Sequence, residues 1–258
     1  MNKMEQLKDT ARPLGVRGHQ RKSRLMGANK ADGAMFVESR HEHITALALD
    51  IDPCTKHIAP QPFTLRLDLE RLFETRKEAL KATPRISKKR RDVDSPHKIE
   101  SIYTPDFLVE LTTPTPLVIE CKTDSQIIKL QVELARRKQI LNNLGYRYQV
   151  VSTDQLNQKG LHVNLANLRD AIHYPDNEVK QGYLGVLEMM ISRRNGPFLV
   201  SDLRKVVPEM PDIALYLGLA YGVIAFDLRS GHISNNTTIW KAYGDLSHLQ
   251  LLNLESAQ

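Results

Sequence analysis

With 258 residues, 41% of them hydrophobic, the chain can bury one substantial core or two smaller ones without disulfides. Its two cysteines, Cys54 and Cys121, give neither a disulfide framework nor a metal-ligand spacing. No run approaches the ~18–20 consecutive apolar residues of a membrane helix, and the opening residues lack an apolar signal core, so no membrane partner and a cytoplasmic location are expected.

A formal charge of +6 points to polyanions only where the positive charge is concentrated, and it is concentrated twice. Lys8, Arg12, Arg17, Arg21, Lys22, Arg24 and Lys30 punctuate a Gly- and Arg-rich opening with little apolar periodicity, which predicts a basic arm over residues 1–34. From Met35 the pattern turns helical, with Val37, Ile44, Leu47 and Leu49 apolar, until Pro53 ends it. Between Pro62 and Leu69, Phe63, Leu65, Leu67 and Leu69 alternate with Thr64, Arg66, Asp68 and Glu70, the signature of a half-buried strand. Residues 70–98 read as a charged insertion with a short helical stretch near Leu72 to Leu80 and the second basic cluster, Arg85, Lys88, Lys89, Arg90 and Arg91.

Tyr103–Leu111 and Pro116–Thr123 predict two strands joined by the turn Thr112-Thr113-Pro114-Thr115, hence a hairpin. Ser125 is placed to cap a helix from Gln126 to about Asn143. In that helix Ile127, Leu130, Leu134, Ile140 and Leu141 form the buried stripe, and Lys129, Arg136, Arg137 and Lys138 are solvated. Gly145 ends it, and Tyr146–Ser152 returns as a strand. Residues 35–175 are therefore expected to form one α/β domain, a mixed sheet with flanking helices. Residues 176–258 read as a second, small domain: a helix through Tyr183, Leu187 and Ile191, another after Ser201, a third over Ile213–Tyr221, then strands at Val223–Asp227 and Thr237–Trp240. Three helices and a hairpin suggest a winged helix. Its third helix carries no positive charge or amide and more apolar residues than one stripe requires, so it is expected to face a protein partner rather than base edges.

The chemistry is carried by the predicted hairpin. An acid, Asp106, opens one apolar strand after Pro105, and Glu120 and Lys122 share a face of the other. Two carboxylates and an ammonium gathered in an apolar sheet call for a cation; hard oxygen donors suit Mg²⁺ or Mn²⁺, and phosphodiester hydrolysis uses such an arrangement. A lone Glu-x-Lys is usually an exposed strand face with a cross-strand ion pair, but the sequence Pro-Asp, strand, turn, strand ending in Glu-x-Lys, helix is far more specific. It resembles the PD-(D/E)xK nuclease superfamily. His41, His43, Cys54 and His57 are scattered by helical phase and Pro53 and do not read as a zinc site, whereas Gln61 is open to DNA contact, water positioning or simple strand initiation.

The motifs Arg17-Gly18-His19-Gln20-Arg21-Lys22-Ser23-Arg24, Phe36-Val37-Glu38-Ser39-Arg40-His41-Glu42, Gln61-Pro62-Phe63, Tyr103-Thr104-Pro105-Asp106-Phe107 and Ile119-Glu120-Cys121-Lys122 succeed one another over about residues 15–155. In that order they resemble TnsA, the endonuclease subunit of heteromeric, Tn7-like cut-and-paste transposases. The resemblance implies a restriction-endonuclease-like domain followed by a winged-helix domain that contacts partner proteins. It implies Glu42, Asp106, Glu120 and Lys122 as catalytic residues, and Glu42, Asp106, Glu120 and the Cys121 backbone carbonyl as ligands of Mg²⁺ or Mn²⁺. Glu38, four residues from Glu42 and on the same helix face, competes with it for the third acid. Arg17, Arg21, Lys22, Arg24, Lys88, Lys89, Arg90 and Arg91 are the expected contacts to double-stranded transposon-end DNA. The implied activity is cleavage of transposon 5′ ends beside a DDE-type transposase subunit, TnsB, under an AAA+ ATPase, TnsC. Some relatives carry Gln where this chain has Glu120; Glu fits the wider nuclease pattern. The alternatives are a restriction-type endonuclease or junction resolvase, and a catalytically silent DNA-binding or assembly subunit.

Overall fold

The computed structural model describes residues 24–82, 102–158, 160–194 and 196–254. They form a mixed α/β structure with a mixed sheet and flanking helices, divided into two compact units. One holds the described residues up to His43 and those of Lys56–Val151; the other holds Ile44–Thr55 and those from Ser152 onward.

The first unit opens on an antiparallel hairpin, β1 (Arg24–Ala28) and β2 (Gly33–Val37). Met35 and Val37, expected in a helix, lie in β2 because their period-two spacing buries both against Met26, and Gly33 supplies the left-handed turn at φ +101°. Helix α1 (Arg40–Ile51) follows. Strand β3 (Thr55–Pro60) was not foreseen, since only Ile58 of its apolar residues is deeply buried.

A three-stranded sheet comes next, with β4 (Thr64–Arg66) between β5 (Arg71–Phe73) and β6 (Ile102–Tyr103). Arg66, expected on a solvated face, is buried because α2 (Arg76–Lys81) covers it: the guanidinium grips Asp68 at 2.8 Å and donates to the Ala79 carbonyl at 2.7 Å. Leu69, expected inside, is exposed.

The predicted strand from Tyr103 is interrupted at Thr104-Pro105-Asp106, where proline offers no N–H to a ladder. Its second half is β7 (Phe107–Leu111), which pairs with β8 (Leu117–Lys122) in the expected antiparallel hairpin. The predicted long helix is likewise two: α3 (Asp124–Lys129) and α4 (Gln131–Asn143), separated at Leu130. Thr123, not Ser125, caps α3, through a reciprocal box with Gln126. Strand β9 (Arg147–Ser152) completes a four-stranded sheet in the order β3-β7-β8-β9. Val118 of β8 packs with Leu134, Ile140 and Leu141 of α4, and Phe63, Leu65, Tyr103 and Tyr148 close the same core. The face of β8 that carries Val118, Glu120 and Lys122 is therefore the face under α4.

The second unit adds helices α5 (Thr153–Leu156) and α6 (Leu161–Ile172), neither foreseen, and then α7 (Asn177–Ser192). After them come β10 (Phe198–Leu199), α8 (Val200–Val206), α9 (Asp212–Ala220), β11 (Ile224–Ala225) and β12 (Thr238–Lys241). The sheet order is β10-β12-β11, all antiparallel. In this unit α6 packs on α9. Between them α6 and α7 bury α9 all round, from Ala214 to Leu219, so the outward apolar face expected of this helix is not there. Buried Asn164 of α6 donates to the carbonyls of Leu228 at 2.9 Å and Gly231 at 2.6 Å and accepts from the Tyr216 hydroxyl at 2.8 Å. Replacing Asn164 by Ala strands three polar groups, and we expect a loss of about 2–4 kcal/mol in urea unfolding. An unchanged midpoint would show that these bonds contribute nothing.

Candidate active site

In the β7–β8 ladder Phe107 faces Ile119, and Val109 faces Leu117. Extending that register by one residue sets Asp106 opposite Glu120. The side chain of Asp106 folds back on β8: its Oδ2 accepts the Cys121 N–H at 2.7 Å. From the other side the backbone N–H of Gln61 donates to the Asp106 carbonyl at 3.0 Å. Gln61 is held in the left-handed region at φ +44°, an uncommon conformation for a side chain of this kind, and is itself buried with its amide oxygen unpartnered. Asp106 is thus fixed on both flanks by neighbouring backbone.

Glu120, 3% exposed, directs Oε1 to two cations: the Lys122 ammonium from its own strand and the Arg137 guanidinium from α4, the latter at 3.3 Å. Its Oε2 is buried with no hydrogen-bond partner. Lys122 also donates to the Cys121 carbonyl at 3.2 Å, the oxygen expected as an extra metal ligand. Arg137 additionally pairs with Glu133 and stacks on the Tyr103 ring, 4.2 Å from its centre. Arg137 was expected in solvent, yet it is buried. The signal was in the helical phase: three residues after Leu134 and three before Ile140, it falls on the apolar stripe.

Glu42 stands at the start of α1 in a box of its own. Its N–H donates to the Ser39 hydroxyl oxygen at 3.0 Å; its Oε1 accepts from that hydroxyl at 2.9 Å and its Oε2 from the Glu38 N–H at 2.8 Å. The Ser-x-x-Glu pattern therefore has a capping role whatever else it does.

Asp106 lies within electrostatic reach of the other two carboxylates. Burial first, then the charges of Glu120 and Glu42, push the Asp106 carboxyl up to about 8, against the opposing pull of Lys122 and the Cys121 N–H. Burial works against the Lys122 ammonium, but Glu120 and Asp106 outweigh it and hold its pKa above the ordinary value. The Tyr103 hydroxyl is raised well above its usual range by burial and then by Glu120. Excess negative charge and a spare buried oxygen on Glu120 are what a hard divalent cation would take up, so the donor set fits Mg²⁺ or Mn²⁺. Among the described residues no three His, Cys, Asp or Glu side chains converge as a preformed cage, in keeping with the engagement of Glu120 by Lys122 and Arg137 and of Glu42 by its cap.

Of the expected DNA contacts, Arg17, Arg21, Lys22, Lys88, Lys89, Arg90 and Arg91 lie outside the described residues, and Arg24 opens β1. No described helix is long and apolar enough to cross a membrane. No family model matches the chain, and no curated protein matches it.

The raised Asp106 carboxyl fixes the sign of a pH effect. Unfolded, it titrates near ~3.9; folded, about 8. Between those values the native state holds a proton that the unfolded state has lost, so this group's contribution is full below ~4 and is lost as pH rises through about 8. Metal-free protein should therefore fall in Tm from pH 5 to 8, more steeply than Asp106→Asn, which keeps the acceptor for Cys121 without the charge. Mg²⁺ at pH 8 should raise the Tm of the parent and not of the variant. Parallel Tm profiles would refute the crowding.

Proposed function

We propose that the chain is a metal-dependent DNA endonuclease of the PD-(D/E)xK type. More specifically, we propose a TnsA-type subunit that cuts the 5′ ends of a transposon beside a DDE-type transposase, TnsB, and an AAA+ regulator, TnsC. The observation that carries the reading is the placement of Asp106, Glu120 and Lys122 at the end of the β7–β8 hairpin, where Asp106 accepts the Cys121 N–H, Lys122 pairs with Glu120, and the charge of Glu42 also acts on Asp106. The order hairpin, helix, adjacent strand β9 supports a restriction-endonuclease-like core. The order α7-β10-α8-α9-β11-β12, with β10 beside β12, supports a winged helix.

When bound, Mg²⁺ or Mn²⁺ polarises a phosphoryl oxygen and lowers the pKa of a bound water. The chain's own residues prepare that step. Asp106 and Glu120 supply oxygen donors held by backbone and by cations, and Glu42 adds a third carboxylate anchored by its cap. Lys122, the most accessible cation beside Glu120, carries the charge that meets the phosphate and stabilises the developing negative charge. The restriction and resolvase readings share this site and differ only in substrate. The reading as a silent assembly subunit draws on the grip of Arg137 and Lys122 on Glu120. Contacts with TnsB or TnsC, implied for the second unit, fall to exposed Met189, Tyr221, Trp240 and Tyr243, since α9 is covered.

In a nicking assay on transposon-end DNA with Mg²⁺ or Mn²⁺, with and without partner proteins, Lys122→Ala and Asp106→Asn should each lose about 10²–10³-fold or more in cleavage, with DNA binding retained. Glu42→Gln preserves the capping box, because Gln serves at that position too; it should still cost far more activity than Glu38→Gln. Cleavage unaffected by Lys122→Ala would sink the site, and the reverse order of the two Glu variants would transfer the third acid to Glu38.

A further inference from the structure

We propose that Arg137 is a positioning residue for the metal site: by locking Oε1 of Glu120 it presents Oε2 as a ligand. The inference rests on the endonuclease reading above and assigns to α4 a part that the catalytic motif does not include. Arg137 is 7% exposed, a rare state for arginine. It meets Glu120 at 3.3 Å, pairs with Glu133 one turn earlier and lies over the Tyr103 ring at 4.2 Å. Its Nε is buried and unpartnered, so hydrogen bonding alone does not account for its place in the core.

The geometry at Glu120 explains what this costly burial achieves. A carboxylate at the end of a strand rotates about its last torsion unless something holds one oxygen. Here Oε1 is held from two directions, by Lys122 along β8 and by Arg137 from α4. Oε2 is left buried with open lone pairs. Lys122 must also serve the phosphate, whereas Arg137, pinned by Glu133 and Tyr103, has no second task. Outer partners of ligating carboxylates typically set metal affinity by 10–100-fold.

Electrostatics alone argues in the opposite direction, because deleting a nearby positive charge favours binding of a cation. The sign of the change therefore separates positioning from simple charge, and a purely structural role predicts no change in affinity of folded protein. The test is Mn²⁺ binding by calorimetry to the full chain, well below its Tm, for the parent, Arg137→Gln and Arg137→Lys. Arg137→Gln should weaken binding about 10–100-fold, with Arg137→Lys intermediate. In cleavage, the KM for metal should rise more than kcat falls. Tyr103→Leu, which leaves the Arg137 charge and removes both the ring beneath it and the hydroxyl that acts on Glu120, should weaken Mn²⁺ binding in the same direction and serves if Arg137→Gln does not fold. A Tm double-mutant cycle of Arg137→Gln with Glu120→Gln in metal-free protein should show coupling, since the double variant removes both members of the pair. Equal or tighter Mn²⁺ binding by Arg137→Gln and Tyr103→Leu overturns this proposal and leaves the active-site reading standing. A parent chain that binds no Mn²⁺ overturns both.

Discussion

Like charges brought close at the end of the β7–β8 hairpin are the constraint on which the rest of the first unit turns. Asp106 stands one residue beyond the Phe107–Ile119 pair of the β7–β8 ladder, and the charges of buried Glu120 and of Glu42 at the start of α1 both act on its carboxyl. Such an arrangement costs free energy unless protons, basic side chains or a cation neutralise it. In metal-free protein all the internal remedies are in use: a proton on Asp106 up to about pH 8, and Lys122 and Arg137 on Glu120. On the endonuclease reading proposed above, a divalent ion would take the place of these remedies.

The rest of the first unit keeps that crowding from relaxing. Val118, two residues before Glu120 on the same face, is fixed in the core by Leu134 and Leu141, so the end of β8 cannot swing away from α4. The break at Pro105 hands Tyr103 to one sheet and Phe107 to another, leaving Asp106 at the junction, clasped by Gln61 and Cys121. Gln61, in the left-handed region, aims its N–H at the Asp106 carbonyl. In the second unit a buried polar hub at Asn164 and an α9 buried from Ala214 to Leu219 give a packed body that leaves Tyr221, Trp240 and Tyr243 exposed.

Much of the hairpin was legible because its signals are local. Period-two alternation, the turn at Thr112–Thr115 and the placement of Asp106, Glu120 and Lys122 follow from strand geometry alone. What the sequence concealed depends on neighbours distant in the chain. Arg66 and Arg137 look solvated in isolation and are buried because another element covers them and supplies carboxylate or carbonyl partners. α6 has no strong boundary apart from Gly160, and its role appears only once α9 is seen to need a second cover. Met35 and Val37 fit both a helix and a strand, and the hairpin with Met26 decides between them. Ser39-x-x-Glu42 carried two meanings at once, a cap and a candidate acid; the folded chain shows the cap, and the charge of Glu42 acts on Asp106.

The central claim is that Asp106, Glu120 and Glu42 jointly receive one or more divalent ions. Anomalous scattering from crystals grown with Mn²⁺ tests it most directly. The account predicts a peak within ligand distance of Asp106 and of Glu120 Oε2, with Glu42 nearby. An ordered site without such a peak at saturating Mn²⁺, or a peak bound only by residues elsewhere in the chain, would contradict it.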